Sequence, residues 1–291
     1  MSAYTLSVQP QLICPSIEWE FDLRARHPEH TEYKTRWREE SDATRSQLKC
    51  IVDVSCGSHT DMTFDIFPSG TSPGPCFIYL HGGFWRSSDK SESSFVANTF
   101  SCFGITTIIM NYKLAPAVSV ADIVTEVQLS VASIFDRARL FGIDNDRIHI
   151  GGFSAGGLLA ASVLGTDWTA FGISKPAVQS GMALSGIFDP EPIISTSHNR
   201  ILDLTTHQAR ALSVICPNDE NLKLALVACG TGETQGFKKQ TVRYAEAACQ
   251  AGQNAQELWI EDRHHYNVVL EFANAESRLA KATRQMILHL D

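Results

Sequence analysis

Residues 148–165 read IHIGGFSAGGLLAASVLG. The first six residues, IHIGGF, are a short run of apolar and small residues that reads as a strand. From Ala155 onward the small and aliphatic run AGGLLAASVLG reads as a helix. Between them, Gly152-Phe153-Ser154-Ala155-Gly156 matches G-x-S-x-G, a pattern that sets a serine on a sharp turn from strand into helix. Glycines on either side remove Cβ atoms that would clash in such a turn. The helix start also aims free N–H groups at developing negative charge. Ser154 is therefore a candidate nucleophile. The pattern alone also describes a bland turn of small residues; the strand before it and the helix after it give it weight.

The surrounding chain repeats the strand–helix alternation. CFIYLHG (76–82) and ITTIIMNY (105–112) are continuous apolar runs, the mark of strands buried on both faces. IVDVSCG (51–57) and MTFDIFP (62–68) are bounded by Gly, Ser and Pro and read as a hairpin. Ile123, Val127, Val131, Ile134 and Phe135 recur at helical spacing within 121–142. GMALSG (181–186), LALVACG (224–230) and ELWIED (257–262) are further strands, with helices expected from Thr234 to Gly252 and in a last segment ending near Leu290. This order predicts an α/β fold with a mostly parallel central sheet and helices on both faces. The initial hairpin makes the sheet mixed.

With 291 residues the chain has room for one large domain or two small ones. Residues 1–49 differ from the rest: Glu18 to Arg45 is rich in charge, and Tyr33 and Trp37 share a helix face four residues apart. We expect an exposed N-terminal helical segment packing over a single catalytic domain, 50–291, in which an insertion at 190–222 forms a cap. The chain carries 24 Lys and Arg against 32 Asp and Glu, a net charge of −8. Such a balance argues against a nucleic-acid or anionic-membrane partner. No stretch reaches the ~20 apolar residues of a membrane span. The eight cysteines form no CxxC pair and no secretion signal is read, so they are expected to be small, mostly buried thiols in a cytoplasmic protein. No metal or cofactor is expected. A homodimer is the commonest assembly for such a chain.

Two further stretches carry chemistry. His81-Gly82-Gly83-Phe84-Trp85 follows a strand directly. An oxyanion needs donors fixed before it forms, and backbone N–H groups beside glycine provide them unobstructed. Gly82, Gly83 and Ala155 are the candidate donors, with the Phe84 amide as a substitute for that of Gly82. His81 reads as a hydrogen-bonded support for the loop. A general base and its orienting acid belong in the C-terminal half if they follow the serine in the order acid, then His. Glu233 follows the strand ending at Gly230, and His265 follows the strand ending near Asp262, so both project from the carboxyl edge of a parallel sheet. His264 rivals His265. Asp189, Asp262 and Asp219 rival Glu233. Phe84, Trp85, Phe153 and Tyr266 are candidates for gripping an aromatic ring, and Arg86 or Arg263 for receiving an anionic group; core packing and solvated charge are the alternatives.

As a set, these motifs resemble the α/β-hydrolases, and more narrowly the kynurenine formamidase group, which is related to the hormone-sensitive-lipase-like esterases. HGGFW resembles the formamidase oxyanion motif, NYKLAP (111–116) the Tyr-x-Leu-Ala-Pro segment of the esterases, and GFSAGGLLAA their GHSAGGHLAA. LSGIFDPEPIISTSHN (184–199), GETQGFKKQT (232–241) and RHHYNVV (263–269) resemble the segments leading to the acid, bearing the acid and bearing the base. The resemblance runs from about residue 18 to the C-terminus. It implies Glu233 as the acid and His265, not His264, as the base. It implies a metal-free serine hydrolase that opens the amide of a small aromatic N-acyl arylamine through an acyl-enzyme, with N-formylkynurenine and N-acylanthranilates as substrates of the group. Carboxylester hydrolysis by the same machinery is the alternative. Four positions depart from the pattern: Phe153 and Leu158 stand where His is common, Tyr266 follows the base, and Asn267 replaces a frequent Asp.

Overall fold

A computed structural model describes residues 13–56, 62–215, 224–253 and 255–288. Three helices come first: α1 (Pro15–Phe21), α2 (Leu23–Arg26) and α3 (His30–Gln47). The antiparallel hairpin β1 (Ile51–Ser55) and β2 (Thr63–Phe67) follows, then β3 (Gly74–Leu80), α4 (Val96–Ser101), β4 (Thr106–Met110), α5 (Val120–Arg137) and β5 (Ile143–Phe153). The second half runs α6 (Ala155–Leu164), β6 (Ser180–Leu184), α7 (Asn199–Leu202), α8 (Thr206–Leu212), β7 (Leu224–Gly230), α9 (Gln235–Gln250), β8 (Gln256–Ile260) and α10 (Arg278–Leu288).

The eight strands form one sheet in the order β1-β2-β4-β3-β5-β6-β7-β8. β2 is antiparallel to β4, and every pairing from β4 to β8 is parallel. The central strands β3 and β4 are buried along their whole length, which is why they read as unbroken apolar runs. α5 begins at a capping box in which Ser119 and Asp122 satisfy each other's backbone donors. Its apolar stripe, Ile123, Val127, Val131 and Ile134, is buried. β5 begins at Ile143, five residues before its apolar run, because Gly74 pairs with Ile143 across a register irregularity that the polar stretch 144–147 conceals.

The N-terminal segment departs from the expectation of an exposed cover. Phe21, Leu23 and Trp37 are buried within the same core cluster as the sheet residues, so one face of a mostly charged segment is core. The cysteines also depart from expectation. All seven described ones are free thiols, but only Cys56, Cys76 and Cys229 are buried, while Cys102 and Cys249 are exposed. Cys216, Asp219, His59 and His289 lie outside the described residues. No described helix is long and apolar enough to cross a membrane.

Candidate active site

β5 ends at Phe153 and α6 begins at Ala155, so Ser154 alone makes the turn, at φ 55° and ψ −116°. A non-glycine residue there is strained, and strain of this kind persists only where its surroundings fix it. Backbone bonds do so: Ser154 N–H donates to Leu184 O at 2.9 Å, and Ser154 O accepts from Gly157 and Ile187. The two glycines are steric necessities. A Cβ on Gly152 would lie 2.0 Å from the Gly156 carbonyl oxygen, and one on Gly156 would lie 2.3 Å from that of Leu80.

The loop after β3 packs directly on this turn. A Cβ on Gly82 would meet that of Ser154 at 3.0 Å. Gly83, Phe84 and Trp85 all have positive φ, and a Cβ on Gly83 would stand 2.1 Å from Ser87 O, so only glycine fits there. His81 braces the loop from behind. Its Nδ1 lies 2.7 Å from Gly82 O and its Nε2 3.2 Å from Asn111 Oδ1, and it stacks on Tyr112. Burial pushes its pKa down. The Tyr112 hydroxyl donates to His81 O at 2.7 Å. Among the described residues the N–H groups of Gly82, Gly83 and Ala155 donate to no backbone carbonyl.

Glu233 and His265 arrive from adjacent parallel strands, and their loops are tied together. Thr231 N–H donates to Ile260 O at 2.9 Å and Gly232 N–H to Arg263 O at 2.8 Å. His265 Nδ1 lies 2.8 Å from Glu233 Oε2, and His265 Nε2 lies 3.0 Å from Ser154 Oγ. A carboxylate can only accept, so Nδ1 carries the imidazole proton and Nε2 is left to accept from the Ser154 hydroxyl. The other Glu233 oxygen accepts a hydrogen bond from Ser185. The rings of Phe153 and Phe237 pack on the imidazole at 4.7 and 4.3 Å.

The rivals stand elsewhere. His264 stacks on His27 and accepts from Tyr266 N–H at 3.3 Å, away from Ser154. Asp189 pairs with Arg243 at 2.8 Å. Asp262 is exposed at the end of β8. His27, Glu29 and His264 offer ligand atoms within 4.8 Å of one another; His27 Nδ1 lies 3.2 Å from Glu29 Oε1, and His264 Nδ1 accepts from Tyr266 N–H.

A pocket enclosing about 840 Å³, open mouth included, leads to Ser154. Phe84, Phe153 and Tyr266 line it, as does Arg86. Burial pushes the Tyr266 phenol up to about 12. Two expectations need correction. Trp85 does not reach the pocket: it is fully buried, and its indole donates to Ala155 O at 3.1 Å, so it anchors the loop to α6. Arg263 pairs with Glu271 at 2.8 Å and lines a different depression. Sequence reasoning missed the wall made by Phe21, Arg24, Lys34 and Trp37 of the N-terminal segment, and His198 of the 190–222 region. His198 stacks on Phe84 at 3.8 Å, and burial pushes its pKa down. Only the Tyr33–Trp37 spacing hinted at a buried face.

The chain is similar to kynurenine formamidases. That of Danio rerio is 30% identical over 256 residues, covering 85% of each chain, and that of Salmo salar 28% over 267 residues, covering 87% of each. The family model described as BD-FAE matches residues 64–175. Among solved structures, the esterase LipW from Mycobacterium marinum superposes with a TM-score of 0.72 over 95% of both chains at 16% identity, a likeness of fold.

Proposed function

The chain belongs to the kynurenine formamidase family of α/β-hydrolases, and from that premise we propose that it is a metal-free serine hydrolase opening the amide bond of an N-acyl arylamine, its acyl group formyl or acetyl. N-formylkynurenine and N-acylanthranilates are the proposed substrate types. The observation that carries this reading is the continuous relay from Ser154 Oγ through His265 to Glu233, at 3.0 and 2.8 Å. Its geometry meets the hydrogen-bond reach required of a nucleophile, its base and the group that orients the base.

In the proposed reaction His265 Nε2 takes the Ser154 proton as Oγ attacks the acyl carbon. The oxyanion rests on the N–H groups of Gly82, Gly83 and Ala155, which need no reorganisation as charge develops. The imidazolium, held against Glu233, then returns the proton to the nitrogen as the C–N bond breaks, and the arylamine leaves. Water attacks the acyl-enzyme, its proton passes to His265, and collapse of the second tetrahedral species returns that proton to Ser154. An arylamine is a weaker base than an alkylamine and leaves more readily, which lowers the demand on His265. Phe84, Phe153 and Tyr266 form the wall against the ring. Of the expected cap at 190–222, residues 216–222 lie outside the described residues; the described part, 190–215, acts as part of a cap, an assignment supported by Ser197 and His198 in the pocket lining.

Ester hydrolysis is the second reading, because the same relay serves an alkoxide leaving group. The test is a panel of formanilide, an N-acylanthranilate and unactivated esters of the same acids, run on the parent and on Ser154→Ala. We expect aryl amides to be turned over and Ser154→Ala to lower kcat by ~10³-fold or more. Efficient cleavage of the unactivated esters with none of the amides assigns the chain to the esterases. Retention of most activity in Ser154→Ala removes the serine-hydrolase reading.

A further inference from the structure

The same pocket carries three cationic side chains that the proposed bond-breaking steps do not use: Arg24 of α2, Lys34 of α3, and Arg86 of the loop after β3. The acidic residues lining it are Asp22 and Glu92. Asp22 caps α2, accepting from Ala25 N–H at 3.2 Å. Glu92 Oε1 accepts from Arg38 Nε at 2.9 Å, its Oε2 is buried without a hydrogen-bond partner among the described residues, and its charge supports that of Lys34. Arg86 makes no side-chain hydrogen bond or ion pair with any described residue. The nearest strong influence on its charge after burial is repulsion from Arg24, with Asp22 a smaller counterweight. Arg24 meets the phenol of Tyr266, a neutral oxygen whose own ionisation burial suppresses. Burial likewise disfavours the charge on Lys34.

A guanidinium does not give up its proton in a protein, so Arg24 and Arg86 stay charged despite each other. Two forked donors facing one cavity suit a planar carboxylate, which each can grip with parallel N–H bonds. An incoming anion would relieve their repulsion. We propose that Arg24 and Arg86 form a carboxylate clamp, so that this pocket selects N-acyl arylamines bearing a carboxylate on or beside the ring. The inference rests on the amide-hydrolase reading and deepens it. It also gives the N-terminal segment a role in selection: one half of the clamp comes from α2 and the other from the oxyanion loop, so a bound carboxylate ties the two together. The stacked pair Phe84 and His198 stands in the same lining, where an aromatic ring joining the carboxylate to the amide would lie.

The experiment compares N-formylanthranilate with neutral formanilide in the parent, Arg86→Gln, Arg24→Gln and Arg86→Lys. We expect the parent to favour the anionic substrate in kcat/KM by ~10²-fold. Each Gln variant should raise KM for N-formylanthranilate ~10-fold or more while its kcat moves little, and formanilide should be far less affected. Arg86→Lys, which keeps charge but loses the fork, should recover part of the loss. A measurement without turnover separates this inference from the reading beneath it: calorimetric binding of 2-aminobenzoate and of aniline to Ser154→Ala, with and without Arg86→Gln. Tighter binding of 2-aminobenzoate that is lost with Arg86 supports the clamp, even if no amide is hydrolysed and the amidase reading falls. Equal losses on both substrates, or 2-aminobenzoate bound no better than aniline, overturns the clamp.

Discussion

The indole N–H of Trp37 donates to the backbone carbonyl oxygen of Tyr266 across 3.0 Å, joining α3 to the residue that follows His265. The same indole packs on the Tyr266 ring, centroids 6.0 Å apart, and edge-on against Phe153 at 6.2 Å. The N-terminal segment is thus part of the scaffold that fixes the proposed base. Trp37→Phe keeps an aromatic ring but leaves a buried carbonyl without its donor, a change that costs about 1–3 kcal/mol. Urea unfolding should show that loss, and kcat should fall by several-fold because the His265 loop is less well held. An unchanged midpoint and unchanged kcat would mean the bond contributes nothing.

His264 and His265 are neighbours with opposite environments. The first stacks on His27 and the second bridges Ser154 and Glu233. His265→Ala should cost about as much kcat as Ser154→Ala, since groups that act as a unit are not additive. His264→Ala should lose far less than that, with its effect on stability and on loop position. Steady-state rates on an aryl amide decide it; a greater loss at His264 would place the base one residue earlier.

The relay was legible because its parts sit at strand ends in a chain whose strands announce themselves. GFSAG needs glycine at two points of close approach, and Glu233 and His265 each follow an apolar strand directly. For Trp85 the structure selects core packing over contact with the substrate; a tryptophan beside an oxyanion loop looks the same in sequence whether it faces the substrate or, as here, the Ala155 carbonyl. Arg24 and Lys34 were invisible for a different reason. They sit in a charged segment of low apolar content, where which face is covered depends on the packing of Phe21, Leu23 and Trp37 rather than on any local pattern. His198 carried no signal of its own, as its place against Phe84 depends on the path of the chain through 190–199.

Glu233 accepts from two donors, His265 through one oxygen and Ser185 through the other. Ser185 is fully buried and holds a positive φ of 49°, so its hydroxyl is fixed in place. Glu233→Gln should leave the fold intact but present the wrong partner to Nδ1 and remove the charge that stabilises the imidazolium, lowering kcat by ~10²-fold or more. Ser185→Ala should lower kcat by roughly 3–10-fold, the scale of one hydrogen bond to a charged group. An unchanged rate would make Ser185 a packing residue only.

The stack of His264 on His27, with ring planes 16° from parallel, sets a pH limit on the junction between the N-terminal segment and the His265 loop. Burial first, and then the neighbouring charge of His27, push the His264 pKa from 6.5 down to about 4. Between those two values the unfolded chain binds a proton at this residue and the folded chain does not. Stability rises with pH wherever the unfolded state holds more protons. The contribution of His264 is therefore complete above pH ~6.5 and is lost progressively as pH falls towards 4. Because the ring is only partly buried, solvent screening holds the effect to roughly 1–2 kcal/mol. Urea midpoints at pH 7.5, 6 and 5 should fall more steeply in the parent than in His264→Gln, which has no imidazole to titrate there. Parallel declines in the two proteins would assign the acid sensitivity to other groups and leave the stack without a share in it.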